Sequence, residues 1–292
     1  VVLLVLLVAI PAAITLHTVE VPGKLIVHSE NPTPYGYTVS LLLFIVPILA
    51  IALWLLPKEH LNVPKRAFWI TLAILIPLGC GLDFFFAHAF FVFKNPGATL
   101  GIGAPAMGSP VPVEEYIFYF TGFLTALLLY IWFDEYWLRA YHVPDGATGK
   151  RPQLHWSSLI VGLVLIVAAI AFKKLTGATG FPGYFTFIVL MSFIPSTLFL
   201  PAVRSIVNWR AFSITLFFTV LVALLWEVTL AAPYGWWGYQ RPEMLGIFIK
   251  GWSYLPVEAV LVWISLTYST VISFHVVKQW LLKRAPATFA AQ

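Results

Sequence analysis

The sequence predicts an all-α integral membrane protein. Its apolarity, the spacing of its apolar runs and an internal repeat carry that expectation. Hydrophobic residues make up 60% of the chain and charged residues 10%, with a mean hydropathy of +0.90. A water-soluble domain carries about a quarter charged residues to cover its surface. Most of this chain therefore faces lipid, where backbone polar groups have to bond within the segment and helices satisfy them. The formal charge of +5 does not mark a nucleic-acid partner. The basic residues fall in short clusters between apolar runs, where membrane proteins carry their orientation signals. A single cysteine, Cys80, excludes internal disulfides and Cys-based metal or redox motifs. It lies in an apolar run and reads as a packed small residue.

A spanning helix needs about 20 mostly apolar residues. The runs 38–57, 67–93, 112–133, 156–172, 183–200, 211–232 and 255–277 qualify. The fourth is short but uncharged from Trp156 to Phe172. An earlier run, Val1 to Leu16, has about the length of a signal-peptide core without a basic segment before it. It reads as part of a further spanning helix, for seven or eight spans in all. Lys58, Lys65, Arg66, Arg139, Lys150, Arg151, Arg204, Arg210, Lys278, Lys283 and Arg284 fall on one side. Lys24, Lys94, Lys173, Lys174, Arg241 and Lys250 fall on the other. The richer side is expected in the cytoplasm, of a bacterial inner membrane.

Shifting the sequence by 144 residues exposes the repeat. Arg66-Ala67-Phe68 falls on Arg210-Ala211-Phe212, Ile70-Thr71 on Ile214-Thr215, Asp83 on Glu227, and Pro112-Val113-Glu114 on Pro256-Val257-Glu258. One compensated shift brings Leu100-Gly101-Ile102 onto Leu245-Gly246-Ile247. The predicted organisation is an N-terminal segment and loop over 1–37, a three-helix repeat over 38–135 and a linker with one spanning helix over 136–182. A second three-helix repeat over 183–282 and a tail over 283–292 follow. Three helices reverse the chain's side, so an odd linker makes the two repeats parallel, related by a pseudo-twofold axis along the membrane normal.

Acidic residues inside apolar runs point to chemistry. Asp83 and Glu227 lie deep in apolar helices, and Glu114, Glu115 and Glu258 follow prolines at helix starts. An ionised carboxylate at mid-membrane costs about 2.5–3.5 kcal/mol on insertion scales, so each should be neutral, paired or turned to a cavity. For Glu114 and Glu258 helix capping is an equal reading, because proline suits a first turn and a carboxylate opposes the positive helix end. Capping does not account for Asp83 and Glu227. The four paired acids Asp83, Glu114, Glu227 and Glu258 read as a shared polar pocket. Adjacent residues project about 100° apart on a helix, and Glu115 has Ala259 as its counterpart. Glu114 is thus the expected reacting acid, with Glu115 pointing elsewhere.

Aromatic residues crowd the same stretches: Phe84, Phe85, Phe86, Tyr116, Trp226, Trp236, Trp237, Tyr239, Trp252 and Tyr254. They read either as an interfacial belt or as a pocket wall whose π faces stabilise a carbocation. Neutral carboxylic acids in an apolar aromatic cavity suit protonation of an alkene, with water excluded from the cation. Other chemistries lack their residues. The seven histidines form no HxxxH or HxxHH cluster, and His88 and His275 near helix ends read as packed or interfacial. Gly101-Ile102-Gly103 lacks the rest of a dinucleotide fingerprint, and no Asp-rich run offers Mg²⁺. No metal and no cofactor are expected.

The run Trp226-Glu227 … Gly235-Trp236-Trp237-Gly238-Tyr239 … Pro242 … Leu245-Gly246-Ile247 … Leu255-Pro256-Val257-Glu258 resembles the membrane lycopene β-cyclases. These occur as small bacterial subunit pairs, as fused archaeal proteins and as the cyclase half of fungal bifunctional enzymes. Their Pro-x-Glu-Glu/Asp hallmark stands complete in Pro112-Val113-Glu114-Glu115, followed by Tyr116-Ile117-Phe118. The resemblance covers both repeats and implies cofactor-independent cyclisation of a carotenoid or other long isoprenoid. It implies catalytic roles for Glu114, Glu258, Asp83, Glu227 and Glu115, with Tyr116, Phe118, Trp226, Trp236, Trp237 and Tyr239 lining the substrate. Ala259 departs from the second motif, and the loop from Gly103 to Val111 is unusually rich in Gly and Pro. Two alternatives remain at this point. One is a non-catalytic carotenoid- or lipid-binding subunit of a membrane complex, the other a proton-coupled transporter.

Overall fold

The computed structural model describes residues 33–55, 64–144 and 156–284. The run Val1 to Leu16, the basic residues Lys24, Lys58, Lys150 and Arg151, part of the linker and most of the C-terminal tail lie outside these residues. The protein is mostly helical, and among the described residues seven helices are long and apolar enough to cross a membrane. They are α1 (Gly36–Ala50), α2 (Lys65–Phe90), α3 (Val113–Trp132) and α4 (Trp156–Leu175). α5 (Gly183–Val203), α6 (Trp209–Trp226) and α7 (Val257–Arg284) complete the set. Wider π turns extend α1 over Ile51–Leu55, α3 over Phe133–Trp137 and α6 over Glu227–Ala231, and interrupt α5 at Val189–Phe193.

Local chemistry explains several boundaries. Asn208 caps α6, its side-chain oxygen accepting from the amides of Arg210 and Ala211 at 3.2 Å each, which satisfies two of the donors that a helix start leaves open. Pro112 precedes α3, where its fixed φ suits entry to a helix. Pro47, Pro77 and Pro201 sit inside α1, α2 and the second part of α5, as neighbouring helices allow in membrane proteins.

Packing places the polar residues inside. α3 and α7 are the central helices: α7 contacts α2, α3, α5 and α6, and α3 contacts α1, α2, α6 and α7. α4 packs along α5. Small residues set the close approaches. A Cβ on Gly79 would fall 2.7 Å from the Tyr119 ring, and one on Gly162 would fall 2.4 Å from Ile194. The apolar side chains that face outward, such as Leu43, Val46, Ile160 and Val167, match a lipid surroundings.

Two sets of helix ends result. The starts of α1, α3, α5 and α7 meet the ends of α2, α4 and α6, tied by Tyr35 N–H to Gly97 O at 2.9 Å and Gln240 N–H to Phe90 O at 2.8 Å. At the opposite end Tyr130 bonds His275 at 2.6 Å and Asn208 donates to Asp134 at 2.9 Å. Six two-residue strands, which an all-α expectation leaves out, close the loops at the first end. β1 (Phe91–Val92) pairs with β4 (Gly238–Tyr239), β2 (Gly103–Ala104) with β3 (Val111–Pro112), and β5 (Phe248–Ile249) with β6 (Leu255–Pro256), all antiparallel.

Candidate functional site

All five sequence-selected acids are buried: Asp83 and Glu258 at 0% exposure, Glu114 at 1%, Glu227 at 3% and Glu115 at 7%. They gather at one end of the bundle, in two groups with different partners.

Glu114 and Glu258 bind backbone. Glu114 accepts from Leu100 N–H at 2.7 Å and from the Thr38 hydroxyl at 2.5 Å. Glu258 accepts from Leu245 N–H. Both loops are built alike before these helices. Val113 N–H bonds Ile102 O at 3.0 Å, and Val257 N–H bonds Ile247 O at 3.0 Å. Gly101 and Gly246 follow the bonded amides with φ of 72° and 96°, a turn that glycine makes without Cβ strain. The Gly97 carbonyl is held by Tyr35 N–H, and the Pro242 carbonyl in the second loop by the Lys173 ammonium. Lys173 also donates to Met244 O at 2.5 Å and is 2% exposed. The sequence places it in a loop, but α4 runs on to Leu175 and carries it inside.

Asp83, Glu115 and Glu227 form the other group, and here the structure corrects the expectation that Glu115 points elsewhere. Helix α3 begins at Val113, so Glu114 at its first turn reaches back to the loop amide. One residue and about 100° later, Glu115 turns inward to face Asp83, Tyr37, Glu114 and Glu227. The acids without a backbone amide partner are therefore Asp83, Glu115 and Glu227, while Glu114 and Glu258 close by each bind a loop amide through one oxygen. The Tyr119 hydroxyl donates to Asp83 at 3.3 Å. Tyr239 O–H and Trp237 Nε1–H, the latter at 3.4 Å, donate to Glu227. Tyr37 faces Glu115 out of hydrogen-bond alignment, and its hydroxyl and Glu115 Oε1 have no hydrogen-bond partner among the described residues. Tyr184 is fully buried and faces Glu227 first, then Asp83. None of the three carboxyls has a cationic partner among the described residues. Burial, and then the neighbouring Glu227, push the Tyr239 phenol well above its ordinary range.

Aromatic rings adjoin these carboxyls. Trp226 lies 5.6 Å from Phe118, stacked at 22°, and 4.9 Å from Trp237. Tyr37 stacks on Trp236 at 5.8 Å and lies 5.0 Å from Trp237. Phe118, Trp226, Trp236, Trp237 and Tyr239 thus stand around the acids. Tyr116 is half-buried and its hydroxyl is spent on Pro105 O. Phe84, Phe85 and Phe86 are 39%, 57% and 42% exposed, so they turn out of the bundle rather than toward the acids. Their register follows from Asp83, which turns the next three positions away from the core. Tyr254 is exposed as well.

Sequence reasoning missed Tyr37, Tyr119 and Tyr184. Tyr119 stands one helical turn beyond Glu115, on the same face, and Gly36-Tyr37 and Gly183-Tyr184 open corresponding helices. These were the available signals. At the opposite end Asp134, Glu135 and His142 offer ligand atoms within 4.8 Å of one another. His142 Nδ1 lies 3.1 Å from Asp134, and Asn208 binds the same carboxyl oxygen, which makes the group a polar tie between helix ends.

Compared with protein-family models, with curated proteins and with solved structures, the chain matches none.

Proposed function

We propose that this protein is a cofactor-independent cyclase of a carotenoid or other long isoprenoid. In this reading it is built from two parallel three-helix units, 38–135 and 183–282, joined by α4. The units are supported by the twin loops, in which corresponding glutamates bind corresponding amides, Glu114 to Leu100 and Glu258 to Leu245. The membrane is a bacterial inner membrane, and the acids lie toward its non-cytoplasmic face because the basic clusters gather at the opposite helix ends.

The observation that carries the reading is the set of three buried carboxyls, Asp83, Glu115 and Glu227, which face phenol and indole donors but, among the described residues, no cation. Such carboxyls in an apolar interior favour the protonated form, which is the form that an alkene needs. Glu115 is the donor in this reading because it lies among Asp83, Glu114 and Glu227 and faces the aromatic group through Tyr37. The proton passes to a terminal trisubstituted alkene, and a neighbouring double bond attacks the resulting cation to form the ring carbon–carbon bond. Loss of a ring proton restores a double bond and returns a proton to the carboxylate that Glu115 became on donating, directly or relayed through Asp83 or Glu227. The product is an isomer of the substrate, so no oxidant or reductant is consumed. Phe118, Trp226 and Trp237 present π faces to the cation. Glu114 and Glu258 hold the loops that roof the site.

Product analysis in a host that makes acyclic carotenoids tests this. New cyclic products that disappear in Glu115→Gln support an enzyme. Unchanged pigment that copurifies with the protein defeats it in favour of a binding subunit.

A further inference from the structure

Two hairpins fold back beside the acid-bearing helix ends, and they are held very differently. The first, β2–β3, is tied down along its length. Met107 N–H bonds Phe84 O at 2.7 Å, Tyr116 O–H donates to Pro105 O, and His88 Nε2 meets Ser109 O at 2.7 Å and Ser109 Oγ at 2.9 Å. The second, β5–β6, lands on Val228 in the π turn that extends α6, 144 residues beyond Phe84. Among the described residues a single hydrogen bond joins its tip to that helix, from Ser253 O–H to Val228 O at 3.2 Å.

The second tip is also strained. Ser253 and Tyr254 are consecutive left-handed residues, with φ of 54° and 55°, a conformation that glycine takes freely and that crowds a residue with a Cβ. The base below it is firm, because Phe248 pairs with Pro256 and Ile249 with Leu255, and Val257 N–H bonds Ile247 O at 3.0 Å. Movement is thereby confined to residues 250–254. That tip carries Trp252, which packs with Leu224, Val228, Tyr239 and Val260 in an apolar cluster apart from the main core. Tyr239 in turn donates to Glu227. Trp252 therefore covers the seam between α6 and α7 that leads toward this carboxyl. On the adjoining face of α6, Leu221 and Leu225 are 40% and 55% exposed, so the seam borders an outward apolar surface.

We infer that residues 250–254 form a lid, hinged on the β5–β6 ladder, that lifts Trp252 from the α6–α7 seam and admits a long apolar chain from the bilayer to the Glu227 side of the acids. The Ser253 hydroxyl latches the closed lid on Val228, and the backbone strain at Ser253 and Tyr254 favours its release. The first hairpin, with its several ties, stays fixed. That the admitted chain is an isoprenoid rests on the cyclase reading, whereas the motion does not.

The test uses the full chain in nanodiscs, with N-ethylmaleimide as the probe and mass spectrometry as the readout. In a Cys80→Ala background, Leu224→Cys places one thiol beneath Trp252, where its reaction rate follows the open fraction of the lid. Ser253→Ala cuts the latch and raises that rate about threefold or more. Tyr254→Gly keeps the latch, relieves the strain and lowers it about threefold or more. Leu127→Cys in the main core reports global unfolding and reacts more slowly than Leu224→Cys in every variant. The native Cys80, which faces Tyr116 beside the fixed hairpin, keeps its rate within about twofold in Ser253→Ala and Tyr254→Gly. Lycopene added to the disc slows the reaction of Leu224→Cys. Equal rates at Leu224→Cys across the lid variants, or changes matched at Leu127→Cys, overturn the lid. A rate that lycopene does not alter overturns the admission of a long apolar chain. Protection by lycopene without any cyclic product supports the lid and overturns the cyclase reading alone.

Discussion

Replacing Glu114 by Ala separates a loop clamp from a reacting acid. The carboxyl receives Leu100 N–H and the Thr38 hydroxyl, and Glu114 is 1% exposed, so truncation leaves two part-buried donors without their acceptor. Losing a hydrogen bond and leaving its donor unsatisfied costs about 1–3 kcal/mol, which gives a loss of about 2–6 kcal/mol for the pair. At about 2–4 °C per kcal/mol for a chain approaching this size, the unfolding midpoint in detergent falls by on the order of 10 °C. Glu114→Gln keeps one carbonyl acceptor and falls roughly half as far. In a double-mutant cycle, Thr38→Val and Glu114→Ala couple by about 1 kcal/mol or more, because they remove the same contact. Glu115→Gln, whose Oε1 has no partner, moves the midpoint by less than about 1 kcal/mol equivalent. An unchanged midpoint in Glu114→Ala, or zero coupling to Thr38, would refute the clamp.

Four further outcomes follow from the same geometry. Lys173→Met removes two donors from Pro242 O and Met244 O, so the loop before β5 loosens and a glutamate-specific protease cuts after Glu243 sooner than in wild type. Gly79→Leu forces a side chain against Tyr119 and Phe123 and destabilises by about 1–3 kcal/mol through overpacking, measured as a lower unfolding midpoint. The Tyr239 phenol ionises above its ordinary range in the folded state. Its stabilising share is complete below about pH 10 and is lost as pH rises through the folded value, so alkaline unfolding is shallower in Tyr239→Phe. In a Cys80→Ala background, Lys250→Cys and Arg204→Cys react with a membrane-impermeant reagent from opposite sides of the membrane, and labelling from one side would contradict the up-and-down order of helices.

The seven helices were legible because length and apolarity alone specify a spanning segment, and Asn208 or Pro112 mark helix starts by local chemistry. The acid-bearing end was legible from Asp83 and Glu227, which no capping argument absorbs. The choice between Glu114 and Glu115 was not legible in the sequence, for a geometric reason. The 100° between neighbours shows that they diverge, but which one faces inward depends on where α3 starts and where Leu100 lies. Lys173 was misread because a cation after an apolar run resembles a loop charge, and only the fold brings the Pro242 and Met244 carbonyls to it. Phe84, Phe85 and Phe86 could not be told from pocket residues by composition, since lipid and a hydrocarbon cavity attract the same side chains.

Isotope incorporation tests the central claim most directly. Purified protein in nanodiscs is given an acyclic carotenoid in D₂O, and the product is weighed and its label located. Protonation by a carboxylic acid that exchanges with solvent predicts one deuterium per ring formed, carried on a ring carbon, and no product in Glu115→Gln. Cyclic product without deuterium, or the same labelled product from Glu115→Gln, would contradict the assignment of that acid as the proton donor.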